Sequence, residues 1–120
     1  MLATNPLFPA IATRKRIAWA GLSPSDFDLI TTYENSHFAK PSRGYYLEIA
    51  DRLGISPEGC LMVGNDADDD LTAQECGMEV FLLTDCLINK TGKDLTLYPH
   101  GSFDALRAHI FKAAADRRGK

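Results

Sequence analysis

The sequence is poor in the features that mark secreted and membrane proteins. It has only three cysteines, none of them in a CxxC pair, and no basic segment precedes an apolar run at its start. A disulfide framework and a secretory signal are therefore not expected. No apolar stretch approaches the roughly 20 residues that a membrane span needs. We expect a reduced, cytoplasmic protein without a membrane partner.

The sequence also shows no excess of positive charge. Thirteen lysines and arginines stand against sixteen aspartates and glutamates, a formal net charge of −3 at pH 7. This balance argues against a nucleic-acid partner. The 45% content of hydrophobic residues fits one soluble domain over residues 1–120, since a chain of this size can bury roughly two-thirds of its unfolded surface.

Several common catalytic signatures are missing. There is no GxSxG elbow of serine hydrolases, no GxxxxGKS/T or GxGxxG phosphate loop and no HExxH zinc motif. His37, His100 and His109 show no zinc-ligand spacing. Serine hydrolase, nucleotide-loop and zinc chemistry are therefore not predicted.

Short apolar runs alternate with helical patterns along the chain. The predicted order is β-α-β-α-β-α-β-α, with strands in residues 1–4, 27–33, 60–64 and 79–85 and helices in residues 8–20, 40–55, 71–75 and 102–115. Apolar strands that alternate with helices are typical of a mostly parallel sheet covered on both faces. The predicted class is α/β, and ligands bind such sheets beyond the carboxyl ends of the strands.

The most unusual stretch is the acidic turn, residues 65–70, which follows an apolar strand and Gly64. Four aspartates stand within its last five positions. They could start a helix, where its positive end favours carboxylates, or they could hold a cation. An EF-hand is rejected because Leu71 and Gly77 stand where that loop needs Gly and Glu. Mg²⁺ fits better, because it takes few carboxylates and binds phosphate oxygens.

Two other predicted strand ends carry polar residues suited to phosphate. Thr4 could donate its hydroxyl to a phosphate oxygen, or it could simply cap the next helix, and Asn5 follows in the same turn. Lys40 stands at the start of a helix, where a cation opposes the helix dipole. A structural reason for this lysine is therefore weak, although a solvated loop lysine is the alternative.

These stretches resemble, in order, the motifs of the haloacid dehalogenase-like (HAD) hydrolase superfamily. "LATN" is similar to its second motif, with Thr4, and "AKP" to its third, with Lys40. "LMVGNDADDDLTAQECGM" is similar to its fourth, an acidic pair written GDxxxD or GDxxxxD. Asp66 and Asp70 fit the first spacing and are the favoured pair. Asn65 and Asp70 fit the second spacing, so Asn65 and Asp69 are kept in reserve.

The resemblance implies a three-layer α/β/α Rossmann-like core and a phosphatase-like reaction through an aspartyl-phosphate. Mg²⁺ would be held by Asp66, Asp70 and Asn65. Thr4 and Lys40 would be catalytic and, with Asn5, would bind a small phosphorylated substrate. The family's first motif, DxDxT/V, does not precede Thr4. We therefore expect a partial core that lacks the nucleophile strand and the cap, that is inactive alone, and that self-associates or pairs with an N-terminal part.

Two alternatives compete with this hydrolase interpretation. A non-catalytic phosphate- or metal-binding or structural module would keep the shape of the site without the nucleophile. A receiver domain of two-component signalling would also combine a Thr, a Lys-Pro pair and acidic residues. Its order is different, because receivers place the acidic pair first, and we reject it.

Overall fold

The structure is a computed structural model, and it describes residues 1–119. The fold is α/β, as predicted, with a parallel sheet and helices. The chain divides into two compact units, Met1–Ile55 and Ser56–Lys120, which are described one at a time. The organisation of residues 1–120 as a single partial domain stays a prediction.

Unit 1 is built mainly on two helices. Helix α1 spans Ala10–Trp19 and helix α2 spans Arg43–Leu53. The Ser42 side chain accepts the Gly44 amide at the start of α2, and Gly54 ends this helix in the left-handed conformation (φ 67°). The predicted helix in residues 40–55 is confirmed over Arg43–Leu53. Its buried face forms most of the core of the unit, with Tyr45, Tyr46, Ile49 and Ala50.

The two strands predicted in unit 1 are reduced to a single parallel bridge between Leu2 and Ile30. The strand prediction for residues 27–33 is therefore wrong over most of its length. The reason is local competition for hydrogen bonds. The Asn35 side chain accepts the Thr32 amide at 2.8 Å and donates to the Ile30 carbonyl at 2.7 Å. These bonds stop the ladder, and a 3₁₀ turn follows at Tyr33–Asn35.

Unit 2 contains a three-stranded parallel sheet in the order β1-β2-β3, with strands Leu61–Gly64, Glu79–Leu83 and His100–Gly101. The first two strands are confirmed, and the third was not predicted. The central strand β2 pairs Val80 with Met62 and Leu82 with His100. Its residues Val80 to Leu82 are buried, as expected for a strand with a neighbour on each side.

The helices of unit 2 connect and follow these strands. Two single turns, α3 at Ala67–Asp70 and α4 at Thr72–Glu75, lie between β1 and β2. Helix α5 spans Phe103–Arg118, and the Ser102 side chain accepts the Ala105 amide at 3.2 Å. This confirms Ser102 as its N-cap. Among residues 1–119, no helix has both the length and the apolar composition that crossing a bilayer requires.

The start of α1 yields a prediction about pH. The Glu34 carboxylate accepts the Ala10 amide at 2.8 and 3.1 Å. Hydrogen bonds from the amides of Glu34 and Ala10 hold the pKa of the Glu34 carboxyl below its ordinary value of 4.5. A lowered pKa in the folded state stabilises the protein above the ordinary value, and this stabilisation is lost as pH falls through the lowered pKa.

Glu34→Gln should therefore be less stable than the wild type at neutral pH, and the difference should shrink as pH falls below 4.5. Urea unfolding of both proteins at several pH values in this range measures the difference in their free energies of unfolding. Glu58→Gln, in the other unit, is the control. A difference between wild type and Glu34→Gln that stays constant with pH would contradict the assignment.

Candidate functional site

The acidic turn begins where β1 ends, and within it Asp66 starts the short helix α3. Asp66 is the N-cap residue of α3, and its Oδ1 accepts the amides of Asp68 and Asp69, each at 3.0 Å. These two amides would otherwise have no partner at a helix start. The helix-start interpretation is thus confirmed for Asp66.

Asp70 lies beneath the turn. It is only 2% exposed, and its Oδ2 accepts the Asp66 amide at 3.2 Å. Gly64 leaves the space for this side chain, because a Cβ on Gly64 would lie 2.0 Å from Asp70 Oδ2. Gly64 thus allows the burial of Asp70.

Asp68 binds the following loop, residues 86–93. Its carboxylate accepts the Thr91 hydroxyl and, at 3.0 Å, the Lys90 amide. Lys93 Nζ lies 3.7 Å from Asp68 Oδ1. The Thr91 hydroxyl, with the Lys90 amide and the Lys93 ammonium group, holds the pKa of the Asp68 carboxyl below its ordinary value of 3.8. One of the four clustered charges is therefore compensated by this loop.

The backbone of the same loop runs beside Asn65 and Ala67. Ile88 donates its amide to the Asn65 carbonyl at 2.7 Å, and its own carbonyl accepts the Ala67 amide at 2.8 Å. The Asn65 side chain donates through Nδ2 to the Cys86 carbonyl at 2.8 Å. The acidic turn is thus fixed on one side by β1 and on the other by loop 86–93.

Two oxygens of the turn remain available to a ligand. Within residues 1–119, neither Asp66 Oδ2 nor Asn65 Oδ1 has a hydrogen-bond partner, and no side-chain oxygen is both fully buried and unpaired. Both residues are partly exposed. Two neighbouring oxygen donors, one of them charged, suit a hard cation such as Mg²⁺.

The described part of the chain contains no group of three or more His, Cys, Asp or Glu side chains that could hold a metal ion. A complete protein cage is not what Mg²⁺ requires, because this ion usually keeps several waters and binds one or two carboxylates with substrate phosphate. The donors of the turn fit such a partial set. Asp66 and Asn65 would be the direct ligands, whereas the buried Asp70 holds the Asp66 amide.

A cavity of about 280 Å³ lies at the carboxyl ends of β1 and β2 in unit 2. Its lining includes Gly64, Asn65, Leu83, Asp85, Cys86 and Phe103. This is the edge at which parallel sheets bind ligands. Asn65 therefore belongs both to the acidic turn and to a space large enough for a small molecule.

Unit 1 holds Thr4 through a buried polar network. The Thr4 carbonyl accepts the Thr31 hydroxyl at 2.6 Å and the Tyr45 hydroxyl at 2.8 Å. Thr31 and Tyr45 are 1% and 2% exposed, and their oxygens lie 3.1 Å apart. Thr4 does not cap α1, whose N-cap residue is Pro9. Among the described residues the Thr4 hydroxyl has no hydrogen bond, so it can serve a ligand.

Lys40 lies close to this network. Its amide donates to Asn5 Oδ1 at 3.1 Å, and its ammonium group lies 5.7 Å from the centre of the Tyr45 ring. The side chain is half-buried, and the peptide bond from Lys40 to Pro41 is cis. The structure thus brings Thr4, Asn5 and Lys40 together in unit 1, as it brings Asn65, Asp66 and Asp70 together in unit 2.

The meeting of these two groups in one site stays a prediction. Sequence reasoning missed the residues that hold them. Tyr45 is a buried residue of the core, and its hydroxyl also fixes the Thr4 carbonyl. Thr91 and Lys93 stand in loop 86–93, which lies beyond the end of β2. No spacing pattern in the sequence could have paired Thr91 with Asp68 across 23 positions.

A comparison with protein families shows which group of proteins the chain is similar to. The family model described as haloacid dehalogenase-like hydrolase matches residues 3–77, more than half of the chain and all the predicted site residues. No curated protein matches the chain.

One matching solved structure is that of an uncharacterized protein from Listeria monocytogenes serotype 4b. The two chains share 18% sequence identity, with a TM-score of 0.59 over 77% of this chain and 55% of that chain. This likeness supports the fold, and the present chain spans little more than half of that protein. With more than half of its residues matched by the family model, the chain belongs to the haloacid dehalogenase-like hydrolases.

Proposed function

We propose that this chain supplies the metal-binding and phosphate-binding residues of a Mg²⁺-dependent phosphomonoester hydrolase. The proposal rests mainly on the carboxylate of Asp66, whose two oxygens have different surroundings. One of its oxygens caps a helix, and the other has no partner in the part of the chain that the structure describes. The capped oxygen fixes the side chain, so the second oxygen is already placed for a cation before the cation arrives.

Each remaining residue has a distinct role in this proposal. Mg²⁺ would neutralise phosphate charge and help to orient the substrate. Asp66 and Asn65 would hold the ion, and Asp70 would keep the Asp66 backbone in place. The Thr4 hydroxyl would donate to a phosphoryl oxygen, while Asn5, bound to the Lys40 amide, orders the strand end. The Lys40 ammonium group would offset the negative charge of the phosphoryl group and of the attacking carboxylate.

The attacking carboxylate itself would come from another segment. No DxD pattern precedes Thr4. In the acidic turn, Asp66 caps the helix start, Asp68 binds the loop and Asp70 binds the Asp66 amide. The reaction would then be shared with an N-terminal part of the protein. The substrate would be a small phosphorylated molecule.

Two measurements test the proposal. Calorimetric titration of the purified chain with MgCl₂ should show binding. Hydrolysis of p-nitrophenyl phosphate should be at background for the chain alone and Mg²⁺-dependent for the longest open reading frame that contains it. Absence of Mg²⁺ binding would overturn the metal assignment. Binding without turnover in the longer protein would instead favour a non-catalytic module.

A further inference from the structure

We propose that Asp68 is a positioning residue that holds the metal-binding residues in place through loop 86–93. This inference rests on the proposed function, because it concerns the same Mg²⁺ site. It assigns to Asp68 a role that differs from metal binding. Loop 86–93 connects the two. Its far end, residues 90–93, binds Asp68, and its near end, residues 86–88, binds Asn65 and Ala67.

Both oxygens of Asp68 are already engaged. Oδ1 accepts the Thr91 hydroxyl and lies 3.7 Å from Lys93 Nζ, while Oδ2 accepts the Lys90 amide at 3.0 Å. A carboxylate with these partners would have to give up hydrogen bonds in order to bind a cation. Asp66 has an oxygen without a partner among residues 1–119, so the ion has a better ligand nearby.

The loop also contacts the metal-binding residues directly. Between Cys86 and Ile88 it makes three hydrogen bonds to the turn, of 2.7 to 2.8 Å, and these bracket Asp66 from Asn65 to Ala67. One of them binds the Asn65 side chain through Nδ2 and so directs its Oδ1. If the far end of the loop were released, the near end would be held by these bonds alone, and Asn65 and Asp66 would become less ordered. Mg²⁺ binding would then include the cost of ordering them.

Thr91 offers a clean test, because it can be changed without altering the charge of the turn. Thr91→Val removes the hydroxyl that Asp68 accepts, and Thr91→Ser retains it. Thr91 is exposed, so both variants should fold. The first readout is amide hydrogen exchange at Ala67 and Ile88, and the second is Mg²⁺ affinity by calorimetry. The amides of Val80 and Phe81 in β2 are the internal control.

In Thr91→Val, exchange at Ala67 and Ile88 should be about tenfold faster, since a hydrogen bond to a charged group is lost. Mg²⁺ affinity should fall about tenfold, as when an outer partner of a metal ligand is removed. Thr91→Ser should restore both, and exchange in β2 should not change. These results would support Asp68 as a positioning residue.

Three results would overturn the inference, and they can be told apart. Unchanged exchange at Ala67 and Ile88 in Thr91→Val would show that the bond between Asp68 and Thr91, on which the inference depends, does not hold the turn. Faster exchange with unchanged Mg²⁺ affinity would show that Mg²⁺ binding does not depend on the loop, while the proposed function would stand. A wild-type chain that binds no Mg²⁺ would remove the proposed function, and this inference with it.

Discussion

Gly64→Ala should destabilise the chain by about 3 kcal/mol, because it forces a methyl group into the space that Asp70 occupies. The new Cβ would lie 2.0 Å from Asp70 Oδ2 and 2.4 Å from its Cγ. Asp70 is 2% exposed, so its side chain has little room to move aside. Displacing it would also break the hydrogen bond from the Asp66 amide, at 3.2 Å. Denaturant unfolding measures the loss.

The source of this loss can be checked with two further variants. Gly119→Ala is the matched control, since a Cβ there would meet no atom closer than 3.7 Å, and it should be nearly neutral. In an Asp70→Ala background the carboxylate is gone, so Gly64→Ala should cost much less than in the wild type. An equal cost in both backgrounds would show that the carboxylate of Asp70 is not what the methyl group displaces.

Asp66→Asn should reduce Mg²⁺ affinity by at least about a hundredfold, which is the upper end of what removing an outer partner of a metal ligand costs. The substitution keeps an oxygen that can accept the amides of Asp68 and Asp69, and asparagine is as good an N-cap as aspartate. Stability should therefore change little. Loss of affinity with retained stability would identify the charged oxygen of Asp66 as the ligand. Calorimetric titration and urea unfolding provide the two measurements.

Asp104→Asn gives the comparison, since Asp104 is an exposed acid in the first turn of α5. It removes the same charge and should leave Mg²⁺ affinity unchanged. Asp66→Ala should lower affinity as much as Asp66→Asn does, and it should also cost about 1 kcal/mol of stability through loss of the cap. Wild-type affinity in Asp66→Asn would exclude Asp66 as the charged ligand.

The elements with the strongest sequence signals are also those that the structure confirms. Helix α2 has Ser42 at its start, Gly54 at its end and an apolar face between them. Strands β1 and β2 are apolar runs bounded by turn residues. The family resemblance rested on Thr4, Lys40 and the acidic turn, and the match over residues 3–77 confirms it. Capping and periodicity are local properties, so they can be read from a sequence.

The features that sequence reasoning missed depend on contacts between distant residues. Residues 27–33 look like a strand, but the Asn35 side chain takes the hydrogen bonds that would extend the ladder. Strand β3 has only two residues, His100 and Gly101, and its pairing with β2 has no sequence signature. The four aspartates look alike in the sequence. Only their partners separate the cap, Asp66, from the buried Asp70 and the loop-binding Asp68.

The parallel arrangement of β1 and β2 has a consequence for how this protein could diversify. Both strands run in the same direction, so the segments that leave them emerge on one side, away from the apolar side chains within the strands. Substitutions in the segments that follow the two strands would therefore change the polar edge of the sheet while leaving the buried residues of β2 in place. Selection could thus act on recognition and on folding largely independently.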